Sequence, residues 1–130
     1  MKIKIKAPQC GAFLLGMTET ETISSATFLN QQLKNIEGSV GNTPLLELKK
    51  VFAKKNVQFF AKEEWKQLSG SVKCRPAYSI IKDAIQTGEL HYGKALLDAT
   101  SGNTGIGYAA IGAKIGLKVV LCLPENASKE

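Results

Sequence analysis

Between residues 57 and 123 the chain alternates short apolar runs with longer amphipathic stretches, and this alternation limits its possible folds more than any other feature. "VQFFA" (57–61), "ALLDA" (95–99) and "KVVLCL" (118–123) have the length and apolar content of buried strands. After the first of these, "PAYSIIKDAIQTG" sets Ala77, Ile80, Ile81, Ala84 and Ile85 at the i, i+3, i+4, i+7, i+8 spacing of a helix with one buried face. Pro76 suits its first turn and Gly88 its end. "NTGIGYAAIGAKIG" reads as a helix of small residues stopped by Gly116, with a core face of Ile106, Ala109, Ala110 and Ala113. Strand, helix, strand, helix, strand with short connections predicts right-handed crossovers and a parallel sheet. The predicted class is α/β: three αβα layers around a mostly parallel sheet.

The flanks are less regular. Residues 1–28 are Thr- and Ser-rich and weakly patterned, which predicts a flexible N-terminal extension. A short amphipathic helix is expected around Leu29–Ile36, and "EGSVGNTPLLEL" then places turn residues ahead of an apolar stretch. At the other end, "PENASKE" offers Asn126 and Ser128 as helix caps with Glu130 following. Two full helices barely cover both faces of a doubly wound sheet. Residues 29–130 are therefore expected to form the N-terminal portion of a larger domain whose C-terminal half is absent.

Composition removes several function classes. With 130 residues, 44% apolar and 22% charged, the chain suits one modest globular domain. The formal charge of +6 is spread over lysines that occur singly or in pairs such as Lys49–Lys50 and Lys54–Lys55, with no arginine-rich stripe. No nucleic-acid partner is expected from such a pattern. No apolar run reaches membrane-spanning length, so no membrane partner is expected. The apolar patch in "MKIKIKAPQCGAFLLGMTET" is too short for an export signal. Cys10, Cys74 and Cys122 form no CxxC, which indicates neither a disulfide framework nor a metal site. A reducing cytoplasm is the simplest setting.

Two loops stand at the carboxyl ends of strands, where open parallel sheets bind ligands. "SGSVK" leads from the strand at 57–61 into the first helix, and "TSGNTG" (100–105) leads from the strand at 95–99 into the second. The second loop sets hydroxyls, an amide and glycines at a helix N-terminus, where free N–H groups and the helix dipole suit a carboxylate or phosphate. Plain capping by Thr100, Ser101 and Asn103 is the simpler use of these residues. "GIGYAA" (105–110) also satisfies G-x-G-x-x-A, with Glu125 twenty positions after Gly105. That dinucleotide fingerprint lacks its context, because Thr100–Thr104 separate it from the strand. Lysine chemistry explains both loops together. Lys73, on a small-residue turn, could form a Schiff base with an aldehyde cofactor. Pyridoxal phosphate is such a cofactor, and its chemistry needs one lysine facing one carboxylate-binding loop.

"VGNTPLLEL", "AKEEWKQLSGSVKCRPA", "LLDATSGNTGIGYA" and "LPENAS" together resemble the cysteine synthase and cystathionine β-synthase group of fold-type-II pyridoxal-phosphate enzymes. The resemblance covers about residues 36–130. Threonine dehydratases carry histidine where this chain has Thr104, which separates it from that branch. The resemblance implies that Lys73 forms the imine with pyridoxal 5'-phosphate and moves protons at the substrate α-carbon. It implies that Asn103 hydrogen-bonds the cofactor's ring hydroxyl, and that Thr100, Ser101, Gly102 and Thr104 hold the substrate carboxylate. The implied reaction is β-replacement: O-acetylserine, an activated serine, loses its leaving group through an aminoacrylate, and sulfide adds to give L-cysteine. A homodimer is implied for the complete enzyme. The chain departs from the family at Gln67–Leu68, where Asn-Pro is usual, and at Cys74, where Asp is usual. The glycine-rich loop for the cofactor phosphate and the hydroxyl facing the pyridine nitrogen have no counterpart after Lys73. Two other readings remain: a catalytically inactive fragment of such an enzyme, and a dinucleotide-binding domain.

Overall fold

In the computed structural model, the described residues are 19–50, 55–125 and 127. The elements in chain order are α1 (Glu19–Ile36), β1 (Leu45–Glu47), β2 (Phe60–Lys62), α2 (Cys74–Gln86), β3 (Ala95–Ala99), α3 (Asn103–Ile115) and β4 (Lys118–Cys122). Short 3-10 turns at Glu37–Ser39 and Glu64–Lys66 follow α1 and β2. The expected α/β architecture is present. Strands β3 and β4 pair in parallel from Ala95↔Lys118 to Ala99↔Cys122, with α3 as the crossover.

The first predicted strand behaves differently. It forms only at Phe60–Lys62 and pairs antiparallel with β1, in the register Leu45↔Lys62 and Glu47↔Phe60. It joins no parallel ladder with 95–99. A parallel neighbour needs a crossover, usually a helix, whereas the described part of the connection from Leu48 to Phe59 contains none. Asn56, at φ +62°, sits in the turn that leads back to β2.

The three helices pack on one another. Leu29 and Leu33 of α1, Ile81 and Ile85 of α2, and Ile111 and Ile115 of α3 form the centre of the core. Full burial of each such side chain contributes about 1.5–3 kcal/mol before entropy is charged. Leu96, Val119 and Leu121 lean against this cluster from the strands. The other side of β3 is bare: Leu97 is 67% exposed, so the strand predicted as buried is covered on one face only among the described residues.

Several expectations change in detail. Helix α1 begins at Glu19, so the end of the stretch assigned to a flexible extension is helical. Residues 1–18, Cys10 among them, lie outside the described residues, as do Asn126, Ser128 and Glu130. In α2 the buried face is Cys74, Ala77, Tyr78, Ile81 and Ile85; Ile80 points outward. Two helices pack against α2, which turns its apolar face one position from the predicted centre.

Helix α3 buries the opposite residues to those predicted. Ile106, Ala109 and Ala113 are exposed and Ala110 is half-buried, while Gly105, Gly107, Tyr108, Ile111, Gly112 and Ile115 are buried. The cause is close backbone approach. A Cβ on Gly107 would lie 2.9 Å from the Cβ of Ala77 and 3.3 Å from the Lys73 carbonyl oxygen. A Cβ on Gly112 would lie 2.6 Å from Val119 Cγ2 and 3.0 Å from the Leu117 carbonyl oxygen. Glycine is therefore required on the packed face, and the alanines are left to solvent. Gly116 ends the helix at φ +74°, as expected.

Gly112→Ala isolates this effect away from the loops. Overpacking costs about 1–3 kcal/mol, and helix propensity returns about 1 kcal/mol. Urea unfolding of the variant should show a net loss of stability at unchanged m-value. A variant as stable as the parent would mean that Val119 and the 116–117 turn yield freely.

Candidate functional site

Lys73 is the residue immediately before α2, with helical φ and ψ, and its side chain is exposed. Its carbonyl accepts the first turn's hydrogen bond from the Ala77 N–H at 3.2 Å. The preceding turn uses glycine where it must: Gly70 lies at φ +72° and donates to the Gln67 carbonyl at 2.8 Å. The Oγ atoms of Ser69 and Ser71 are buried and have no hydrogen-bond partner. Cys74 is fully buried in the core, so it fills space just past the lysine and presents no thiol to solvent.

The second loop runs from the end of β3 into α3. Gly102 is the N-cap, and Asn103, Thr104 and Gly105 form the first helical turn. The N–H groups of that turn have no intrahelical acceptor. Capping by Thr100, Ser101 or Asn103 does not occur: among the described residues, none of these side chains, nor that of Thr104, hydrogen-bonds to the protein. Thr100 and Thr104 are partly buried, while Ser101 and Asn103 are exposed. The space above Gly102 is open, since a Cβ there would meet nothing within 4 Å. Free N–H groups, unpaired hydroxyls and open space at a helix N-terminus fit an anion the size of a carboxylate.

The two loops share one end of the α2–α3 pair. Gly107, four residues into α3, lies against the carbonyl of Lys73. This contact puts the base of the lysine one helical turn from Asn103. The dinucleotide fingerprint fails on the same geometry. A Cβ on Gly105 would lie 2.8 Å from Thr100 Cγ2 and 3.0 Å from Leu121 Cδ1. Gly105 and Gly107 are both closed by protein atoms, so neither leaves a cradle for a pyrophosphate.

One cluster near Lys73 went unread in the sequence. Arg75 grips Glu64 with two parallel bonds, Nε to Oε2 at 3.0 Å and Nη2 to Oε1 at 2.8 Å. Thr43 Oγ1 donates to Glu64 Oε1 at 2.9 Å and accepts from Arg75 Nη2 at 3.1 Å. Gln67 Nε2 donates to Glu64 Oε2 at 2.8 Å, and Gln67 Oε1 accepts the Gly41 N–H at 2.9 Å. Lys62 Nζ donates to the Thr43 carbonyl. The Arg75 hydrogen bonds, aided by those of Gln67 and Thr43, outweigh desolvation and pull the Glu64 carboxyl down to about 2. The Glu64 bond in turn raises the Arg75 guanidinium above its usual value. The only sequence signal was the acidic pair "EE" eleven and twelve residues before an arginine, which no short-range pattern connects.

A depressed carboxyl contributes stability above its unfolded value and loses it as pH falls through the folded one. The Glu64 contribution should be complete above about pH 4.5 and fade toward about pH 2. The stability gap between the parent chain and Glu64→Gln should therefore narrow as pH is lowered from 6 to 2.5, read by urea unfolding at each pH. Parallel acid limbs in the two proteins would contradict the assignment.

Comparison with known proteins identifies the family. Residues 36–130 match the family described as "Pyridoxal-phosphate dependent enzyme". A cysteine synthase from Aquifex aeolicus is 47% identical over 70% of this chain and 29% of its own length. An O-acetylserine dependent cystathionine beta-synthase from Bacillus subtilis is 41% identical over 75% of this chain and 32% of its own. A crystal structure of a hydrogen sulfide-producing enzyme from Fusobacterium nucleatum superposes with a TM-score of 0.65 at 39% identity, covering 76% of this chain and 30% of that one. The chain thus spans about a third of the length of these relatives. It belongs to the family of pyridoxal-phosphate dependent enzymes and shares the fold-type-II architecture of the cysteine synthase and cystathionine β-synthase relatives it resembles.

Proposed function

We propose that this chain supplies the lysine and the substrate-carboxylate loop of a cysteine-forming β-replacement enzyme. The net reaction takes O-acetylserine and sulfide to L-cysteine and acetate. The observation that carries this reading is the contact of Gly107 with the Lys73 carbonyl, which places both loops at the same end of α2 and α3. Pyridoxal phosphate, when bound, supplies an aldehyde for the lysine amine and a ring that accepts the electron pair released at the substrate α-carbon.

The chain's own residues supply the rest. Lys73 would hold the cofactor through its amine, and the same amine would take and return the proton at the substrate α-carbon. Asn103 would hydrogen-bond the cofactor's ring hydroxyl. Thr100, Ser101 and Thr104, with the N–H groups above Gly102, grip the substrate carboxylate and so fix which bond at the α-carbon faces the lysine. The unpaired side chains of this loop support that role, because plain capping would have paired them. The buried, unpartnered hydroxyls of Ser69 and Ser71 are further polar groups on the lysine turn.

Loss of the amine is the direct test, and arginine cannot replace it. In the cofactor-loaded enzyme, Lys73→Ala should abolish the visible absorption band and lower turnover by roughly three orders of magnitude or more. Far-UV circular dichroism should stay unchanged, since the side chain is exposed. A retained band would remove Lys73 from the reaction. Asn103→Ala and Thr104→Ala should weaken amino-acid binding more than folding, and unchanged affinity in both would reduce the loop to a helix start.

A second reading, that the 130-residue chain alone is inactive, is favoured by its exposed apolar surface. Leu97 on β3, Leu45 and Leu46 on β1, and Phe60 on β2 are all exposed. Apolar strand surface left bare favours association. The purified chain should self-associate, release pyridoxal phosphate on dialysis and form no cysteine from O-acetylserine and sulfide. A monodisperse chain that kept the cofactor and turned over would overturn this second reading.

A further inference from the structure

The lysine turn is pinned at both ends by one carboxylate. Its entrance is held by Gln67, which is 5% exposed and hydrogen-bonded to Glu64 Oε2 and the Gly41 N–H, and by the Leu68 N–H on the Ser39 carbonyl at 3.1 Å. Its exit is held by Arg75, two residues past Lys73, through the two-pronged bond to the same Glu64. Four donor bonds from Thr43, Gln67 and Arg75 converge on the two Glu64 oxygens, and such fork geometry fixes direction as well as distance. Between the pinned ends, among the described residues, the hydroxyls of Ser69 and Ser71 have no partner, and no side-chain hydrogen bond or ion pair holds the lysine amine.

Energetics separates two roles for this cluster. Arg75 is a cation in the first turn of α2, the end that the helix dipole makes unfavourable for positive charge. Its side chain is 38% exposed, and water screens an ion pair that open, so the pair itself adds little to stability. The stability that Glu64 contributes is therefore the smaller effect, and the local direction imposed by its fork geometry the larger. We propose that Glu64 is a positioning residue: by holding Gln67 and Arg75 at once, it fixes the 67–75 turn so that Lys73 faces the open space above Gly102. The inference rests on the assignment of Lys73 made above. It adds that the lysine's reactivity depends on a carboxylate nine residues earlier that need not touch the cofactor.

The test uses the full chain, with Glu64→Gln and Arg75→Lys as variants, and two readouts. Hydrogen exchange followed by mass spectrometry reads the amides of 69–77 against those of α3 and β4. Reductive trapping with pyridoxal phosphate and borohydride, followed by peptide mapping, reads label on Lys73 relative to the other lysines. In both variants, exchange at 69–77 should rise about ten-fold while α3 and β4 change less than about two-fold. Lys73's share of the label should fall about five-fold or more, the scale expected for a displaced reactive group. Unchanged exchange at 69–77 overturns the proposal. So does faster exchange throughout α3 and β4, which would make the cluster a general stabiliser, or a loosened turn with undiminished labelling. If the parent chain shows no preference for Lys73, the lysine assignment falls, and the exchange readout still decides whether Glu64 holds the turn.

Discussion

The close approach of α2 and α3 at Gly107 is the contact on which the rest of the site depends. Helix separation is set by the side chains at the crossing, and here one partner has none. Ala77 and the Lys73 carbonyl occupy the space that a Cβ on Gly107 would take. The same helix repeats the device at Gly112 against Val119 and at Gly105 against Thr100 and Leu121. Gly105 and Gly112 let β4 approach one side of α3 and Gly107 lets α2 approach another, with Tyr108, Ile111 and Ile115 buried between them. Glycine in a helix interior costs about 1 kcal/mol relative to alanine. Three buried glycines in one helix are a cost that close packing must offset, and the gain is position: the N-termini of both helices end side by side.

From that contact the two loops acquire complementary jobs. The α3 N-terminus presents unsatisfied N–H groups and side chains that hydrogen-bond to none of the described residues, while the α2 N-terminus presents an exposed lysine. The lysine's backbone is fixed by α3 from one side and by the Glu64 cluster from the other. A reactive amine needs that combination of a free head and a held base, because misplacement of about 1 Å costs about a hundred-fold in rate. The Gln67 side chain also ties the Gly41–Asn42 turn to the cluster through the Gly41 N–H. Gln67 stands where the resemblance led to an expectation of Asn. The glutamine uses both an acceptor and a donor here, which ties the entrance of the turn to Gly41 and Glu64.

The architecture was legible where one residue type served one purpose. Ala77, Ile81 and Ile85 repeat at helical spacing and are buried; Gly88 and Gly116 end their helices at positive φ. Lys73 and the "TSGNTG" loop stood out because their composition exceeded what turns and caps need, and the structure brings them to one end. The face of α3 was not legible, because hydropathy ranks Ile106 and Ala109 above Gly105 and Gly112, whereas the crossing selects the smallest residue. The pairing of β2 was not legible either. "VQFFA" reads as a strand in either direction, and its partner Leu45–Glu47 lies too far back for local periodicity to connect. Glu64 was missed for the same reason: its partners Thr43 and Arg75 stand 21 and 11 residues away in the chain. Long-range polar contacts leave no period.

The central claim, that α3 lies against the base of Lys73 because Gly107 has no side chain, is tested most directly by proton NMR on the assigned chain. The Gly107 α-protons should show strong nuclear Overhauser contacts to the Ala77 methyl group, since a Cβ on Gly107 would fall 2.9 Å from that carbon. Gly107→Ala should shift the Lys73 and Ala77 amide resonances ahead of those in β4. Absence of the Gly107–Ala77 contact with both residues assigned and ordered would contradict the account.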